Sequence, residues 1–223
     1  RDYLKSTWGV DVEASYLAWE FSPNPDKPGW WVPRTQFALL TTDRAVRFTD
    51  HPIGKQLQAA RAGFNFTAPM KIIATGTQPA GVKVEAIAEV RPSQDVWAFD
   101  DVRRLEEQWK QNQGLRPDAA DLRAPFPIAV AATDAAGHKA VIFDSVQFAE
   151  DQLAQANGLQ QVGNAYVLGP LYPANSDLFI NALHWLTGEA DRIAAGPQRG
   201  DLPRLSRLTE AWSALSPTAA LTA

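Results

Sequence analysis

Residues 175–193 read Asn-Ser-Asp-Leu-Phe-Ile-Asn-Ala-Leu-His-Trp-Leu-Thr-Gly-Glu-Ala-Asp-Arg-Ile, and this stretch decides the predicted fold. Asn175 or Ser176 can cap the first free backbone amides of a helix, and Gly188 supplies a left-handed residue that ends one. We therefore predict a helix over 176–187. Its apolar residues leave little of its surface for solvent, so we expect it to pack flat on a sheet. The residues of this helix expected in the core are Leu178, Phe179, Leu183 and Trp185.

The composition is that of a globular protein. A chain of 223 residues can bury one sizeable core. Hydrophobic residues make up 45% and charged residues 21%, which are ordinary values for a folded domain. The net charge is -4 and the sequence has no cluster of Lys and Arg, so nucleic acid is not an expected partner. We predict a single domain over residues 1–195 and a Pro-rich tail or linker over 196–223.

Several kinds of site are not expected from this sequence. The chain has no cysteine, which excludes disulfides, thiolate nucleophiles and Cys-ligated metals. His51, His138 and His184 stand apart without a His-x-x-x-His pair, and the glycine motifs that bind phosphate are missing. We therefore predict no metal and no cofactor. A run of about 18 apolar residues is also missing, so we expect no membrane span within the sequence.

Strand-like and helix-like patterns alternate along the chain. Residues 128–132 and 139–143 are short apolar runs joined by a turn at 134–137, as expected of central strands covered on both faces. A helix predicted over 146–157 follows them. This alternation predicts an α/β fold with a largely parallel sheet, to which antiparallel hairpins could be added.

Asp144 and Ser145 come directly after the second apolar run. Ligands of open α/β sheets bind at the carboxyl ends of strands, so this pair is a candidate site for a ligand or partner. Ser145 could also be the nucleophile of a hydrolase, which predicts a His within about 3 Å of its hydroxyl. The flanking residues lack the glycines of a nucleophile elbow. A helix N-cap explains Ser145 with fewer assumptions.

Trp30 and Trp31 lie in a stretch, residues 22–35, that contains four prolines and is predicted to be an irregular loop. Exposed aromatic rings on a loop can stack on sugars or contact a protein partner. The alternative is that the two rings fold back as a lid on the core. A small-molecule or glycan receptor would need both rings to face solvent beside a cleft.

Four segments of the chain carry a resemblance to a known family. They are Tyr-Leu-Lys-Ser-Thr-Trp-Gly-Val-Asp-Val at 3–12, His-Pro-Ile at 51–53, Gly-His-Lys-Ala-Val-Ile-Phe-Asp-Ser-Val-Gln-Phe at 137–148, and Asn-Ser-Asp-Leu-Phe-Ile-Asn-Ala-Leu-His-Trp-Leu-Thr-Gly-Glu at 175–189. Together they resemble the extracytoplasmic auxiliary components of ABC transporters of the gliding-motility type, and the last segment is the most specific. Phe143 stands where the family usually has Gly, and Gln147 where a second acid is expected.

The resemblance implies a flavodoxin-like fold, that of the class I glutamine amidotransferases, with three layers. The family's leading strand and helix units would precede Arg1, which would leave the sheet truncated at its N-terminal side. Amidotransferase activity is not implied, because that chemistry needs a Cys nucleophile.

The resemblance also implies a function. It indicates a non-catalytic module that binds ABC transporter subunits or a carried ligand. The module would be periplasmic or extracytoplasmic, and segments outside this chain would attach it to the inner membrane. Two hypotheses from other classes stay open beside it, namely a serine hydrolase using Ser145 and a small-molecule or glycan receptor using Trp30 and Trp31.

Overall fold

The computed structural model describes residues 2–35, 38–74, 77–110, 115–145, 147–154, 156–162 and 165–193. Strands dominate this part of the chain. The strands are β1 (Val10–Val12), β2 (Leu17–Pro23), β3 (Trp31–Pro33), β4 (Leu39–Thr41), β5 (Val46–Phe48), β6 (Gly63–Asn65), β7 (Met70–Ile72), β8 (Lys83–Val90), β9 (Val96–Phe99), β10 (Leu122–Arg123), β11 (Phe126–Thr133), β12 (Lys139–Phe143), β13 (Asn157–Val162) and β14 (Ala165–Pro170). The helices are α1 (Asp2–Trp8), α2 (Pro52–Lys55), α3 (Val102–Lys110), α4 (Asp151–Ala154) and α5 (Ala174–Thr187), and a short 3-10 helix follows at Ala190–Arg192.

The strands form several small antiparallel sheets instead of one parallel sheet. Two sheets have four strands each, in the orders β10-β9-β2-β3 and β12-β11-β8-β5. The pairs β1-β7, β4-β6 and β13-β14 form two-stranded sheets. The predicted α/β fold, a flavodoxin-like or class I glutamine-amidotransferase-like three-layer sandwich, is therefore wrong.

The two apolar runs predicted to be central strands are β11 and β12; β11 is central, but β12 is the half-buried edge strand of its sheet, so the prediction for 139–143 is wrong. The length of one connection explains why the two strands are antiparallel. Only residues 134–138 separate β11 from β12, whereas a parallel pair needs a crossover of a dozen residues or more. The Asp134 carboxylate accepts hydrogen bonds from the backbone amides of Ala136 and His138, at 2.9 and 2.8 Å. Gly137 has a φ of 85°, which suits a residue without a side chain. This turn reverses the chain and brings Val130 opposite Ile142.

Helix α5 lies close to its predicted bounds, and Gly188 ends it with a φ of 81°, which confirms the predicted C-cap. The N-terminal end differs, because Pro173 occupies the N-cap without a side-chain hydrogen bond. Asn175 is instead fully buried. Its side chain accepts a hydrogen bond from the Gly63 amide and donates to the Gly63 and Phe148 carbonyls, at 2.9, 2.9 and 2.6 Å. These bonds fix the start of α5 against β6.

The largest hydrophobic cluster joins the β12-β11-β8-β5 sheet to α2 and α5. Leu178 is fully buried in it, as predicted, whereas Trp185 is only partly buried against it. Phe179 and Leu183 are exposed, so the prediction that they belong to the core is wrong. A second cluster surrounds the stacked rings of Phe21 and Trp97, whose centroids are 3.7 Å apart.

Two further predictions concern the segments after β12 and after α5. The helix predicted over 146–157 is too long: among the described residues of that stretch the only helix is α4, residues 147–150 form turns, and β13 begins at Asn157. The Pro-rich tail predicted over 196–223 lies outside the described residues. None of the helices that the structure describes is long and apolar enough to cross a membrane.

Candidate functional site

The pair Asp144 and Ser145 lies where the segment after β12 meets the connection between β6 and β7. Thr67 in that connection forms an isolated antiparallel bridge with Ser145. The backbone amide of Asp144 donates to the carbonyl of Ile128 in β11 at 3.0 Å, which holds this end of the segment on the sheet. We name this region the Asp144 junction. It consists of Asn65, Thr67, Asp144, Ser145 and Gln147.

Ser145 is buried in the junction. Its hydroxyl donates a hydrogen bond to the backbone carbonyl of Asn65 at 2.8 Å. A backbone carbonyl cannot remove a proton from the hydroxyl, so this contact does not activate Ser145 as a nucleophile. The bridge to Thr67 and this bond give Ser145 a structural role that differs from the predicted N-cap.

Asp144 is half-buried, and its carboxyl group has little compensation for its charge. Its Oδ2 atom is buried and has no hydrogen-bond partner among the described residues. Burial raises the pKa of Asp144 to about 6, and a hydrogen bond from the Ala68 backbone opposes this shift only in part. A carboxyl group with such a pKa changes its charge close to neutral pH.

Two other buried polar atoms of the junction, Asn65 Oδ1 and Thr67 Oγ1, also lack a partner in the described part of the chain. The side-chain amide of Asn65 donates to Gln147 Oε1 at 2.8 Å. Phe66, between Asn65 and Thr67, is exposed and has a φ of 52°, an uncommon conformation for a residue with a side chain. Unpaired buried polar atoms and backbone strain both cost free energy, and such features cluster at functional sites.

Each of the three histidines contacts a residue other than Ser145. His51 Nδ1 accepts a hydrogen bond from the Ile53 amide at the start of α2, and burial lowers the pKa of His51. His138 Nδ1 lies 2.8 Å from Asp134 Oδ2. His184 Nδ1 lies 3.2 Å from Glu189 Oε2. The described residues therefore contain no hydrogen-bonded pair of Ser145 and His, which the hydrolase hypothesis requires.

Trp30 and Trp31 are both half-buried, and each ring has a packing partner. Trp31 is the first residue of β3, and its ring meets that of Trp97 edge to face with centroids 5.7 Å apart. The guanidinium group of Arg116 lies 4.3 Å from the centroid of the Trp30 ring. The stretch predicted to be a loop thus contains a strand that brings Trp31 onto the second core cluster, and the two rings do not form a pair facing solvent.

The hairpin formed by β13 and β14 exposes apolar side chains. Leu159 lies directly opposite Leu168, and Tyr166 is two residues away on the same side of the hairpin. Their side chains are 70%, 55% and 59% exposed, respectively. Val167 points to the opposite side and is buried. We name Leu159, Tyr166 and Leu168 the hairpin face.

Strand β13 was not predicted from the sequence, and the predicted helix over 146–157 overlaps it only at Asn157. Gly163-Asn164, a pair that favours hairpin turns, separates two short runs of strand-forming residues and is the signal that could have found it. Helix α5 also carries exposed apolar residues on its outer side. We name these residues the outer face of α5, and they are Phe179, Ile180, Leu183 and Leu186.

The described residues contain no group of His, Cys, Asp and Glu that could hold a metal ion. Comparisons of the chain with protein families, with curated proteins and with solved structures find no match.

Proposed function

We propose that this chain is a non-catalytic accessory module of an ABC transporter and that its hairpin face binds a transporter subunit outside the cytoplasm. The observation that supports this proposal is the hairpin face itself, where three large apolar side chains are each more than half exposed. The resemblance of residues 175–189 and 137–148 to the auxiliary components of such transporters supports the class of partner.

The position of the hairpin face favours a protein partner. A two-stranded hairpin is only marginally stable by itself, and apolar side chains on its solvent side add little to its stability. Covering Leu159 and Leu168 with a partner surface would contribute about 25 cal/mol for each Å² of apolar area removed from water. Tyr166 adds an aromatic ring, a residue type that often dominates the binding energy of interfaces.

The Asp144 junction supports a non-catalytic role. The Ser145 hydroxyl donates a hydrogen bond to a backbone carbonyl, and the half-buried Asp144 carboxyl receives a backbone hydrogen bond from Ala68. These contacts connect the segment after β12 to the end of β6 and to the connection between β6 and β7. The junction therefore serves to hold these two segments together.

Site-specific photo-crosslinking in the native membrane tests this proposal. The full-length protein carries p-benzoylphenylalanine in place of Leu168, and the adducts are identified by mass spectrometry. Tyr3 on α1 is a matched control position, because its side chain is an aromatic ring that is 66% exposed. The expected result is an adduct with an ABC transporter subunit from position 168 and none from position 3.

Two results would contradict the proposal. One is a lack of adducts above the control at position 168. The other is an adduct formed only with a second copy of this chain or with a protein unrelated to transport.

A further inference from the structure

The outer face of α5 is unusually apolar for the solvent side of a helix. Its members are Phe179, Ile180, Leu183 and Leu186, which are 45%, 47%, 46% and 38% exposed. They recur at spacings of three and four residues and therefore form one stripe along the helix. A helix at the surface of a globular protein normally presents polar residues to solvent, and an exposed apolar stripe indicates that another element covers it.

A segment of the same chain has a complementary pattern. Residues 202–215, outside the described part of the chain, read Leu-Pro-Arg-Leu-Ser-Arg-Leu-Thr-Glu-Ala-Trp-Ser-Ala-Leu. Leu205, Leu208, Trp212 and Leu215 are separated by three, four and three residues, a spacing that predicts one apolar face of an α-helix.

The residues around this segment predict where the helix begins and ends. Asp201 precedes it as a residue suited to an N-cap, and Pro203 falls in the first turn, where a missing amide costs little. Ser216-Pro217 follows it, and proline disfavours continuation of a helix. We name residues 202–215 the tail segment.

The chain lengths fit a helix hairpin between α5 and the tail segment. Both are 14 residues long, which corresponds to about 21 Å of helix. Residues 194–201 connect the last described residue, Ile193, to the tail segment and can span up to about 26 Å. This length allows the chain to reverse direction, so that Leu205 starts near Leu186 at the carboxyl end of α5.

We propose that the tail segment packs antiparallel on the outer face of α5 of its own chain. In this arrangement Leu208 lies beside Leu183, and Trp212 and Leu215 lie toward Phe179. A second copy of the chain is the competing occupant. The short connection gives the tail segment an effective concentration in the millimolar range, which favours it over a second copy at micromolar concentration.

Cysteine trapping in the full chain tests this arrangement, because the natural sequence has no cysteine and two introduced residues are the only thiols. One variant combines Leu183→Cys with Leu208→Cys. The matched control combines Leu183→Cys with Ser206→Cys, which places the second thiol on the polar side of the predicted tail helix. Mild oxidation at low micromolar protein concentration should form the intramolecular disulfide about tenfold faster in the first pair than in the control.

Equal rates for the two pairs would overturn the proposal, since they would mean that the tail segment has no preferred face toward α5. Disulfide-linked dimers whose yield rises with protein concentration would also overturn it and would identify a second copy as the occupant. Equal thermal unfolding of the two reduced variants serves as the folding control. The assay contains no transporter, so its outcome is independent of the function proposed above.

Discussion

The hydroxyl of Ser145 donates a hydrogen bond to the backbone carbonyl of Asn65 over 2.8 Å, although 80 residues separate the two in sequence. This bond connects the segment after β12 to the end of β6. A hydrolase would instead need a hydrogen bond between the serine hydroxyl and a histidine ring. Replacing Ser145 with alanine therefore tests how much this bond contributes to the stability of the fold.

Ser145→Ala should destabilise the protein by about 1–3 kcal/mol, because it removes the hydrogen bond of a buried serine and leaves the half-buried Asn65 carbonyl without this donor. Urea unfolding measures this change. Ser176→Ala is the matched control, since Ser176 is exposed on α5 and should change the free energy of unfolding by less than about 0.5 kcal/mol. Equal values for the two variants would mean that the bond contributes nothing to stability.

Asp144 makes stability depend on pH in a defined direction. Burial raises the pKa of the folded carboxyl to about 6 from an ordinary value of 3.8. The folded state therefore binds a proton more tightly than the unfolded state. This contribution to stability is fully present below pH 3.8 and is lost as the pH rises to about 6.

Asp144→Asn should remove the loss of stability that accompanies a rise in pH, because the amide stays neutral and its oxygen can still accept the hydrogen bond from Ala68. The variant should match the natural protein near pH 4 and exceed its stability by about 2–3 kcal/mol at pH 7.5. Urea unfolding at a series of pH values measures the difference. A difference that does not change with pH would contradict the assignment of a raised pKa to Asp144.

Asn175→Ala should cost about 3–5 kcal/mol of unfolding free energy, because the fully buried Asn175 side chain satisfies three backbone groups of Gly63 and Phe148. Asn24→Ala is the control, since the Asn24 side chain accepts a local hydrogen bond from the Asp26 amide at an exposed turn. Thermal or urea unfolding checks both variants. A loss below about 1 kcal/mol at position 175 would mean that apolar packing alone holds α5.

Trp185→Ala should cost about 3 kcal/mol, because the ring packs against the largest core cluster. The ring also meets that of His51 edge to face with centroids 5.3 Å apart. Trp30→Ala should cost about 1 kcal/mol, since the Trp30 ring is half-buried and stacks with Arg116 at the surface. Urea unfolding of the two variants compares the contacts directly. The reverse order would contradict the burial assigned to these rings.

The sequence predicted α5 well because the signals that end a helix are local. Gly188 follows the last helical turn directly, and its left-handed conformation needs no distant contact. The fold class was not predictable from the same kind of pattern. Apolar runs such as 128–132 and 139–143 do not indicate whether the two strands are parallel or antiparallel. The short connection at 134–138 is the feature that requires antiparallel pairing.

The candidate site was predicted in part. Asp144 and Ser145 were found because polar residues directly follow an apolar run. Asn65 and Thr67 were not, since they reach Ser145 only through tertiary pairing of distant segments. The burial of Leu178 and the exposure of Leu183 on one helix also depend on which side of α5 meets the sheet, and a helix that is apolar on most sides does not indicate this.

Co-purification from the native membrane tests the central claim most directly. The full-length natural protein is compared with the double variant Leu159→Ser and Leu168→Ser, which should fold normally because both side chains are exposed. We expect the natural protein to retain an ABC transporter subunit, identified by mass spectrometry, and the double variant to lose it. Equal retention of that subunit by a folded double variant would contradict the claim that the hairpin face is the binding surface.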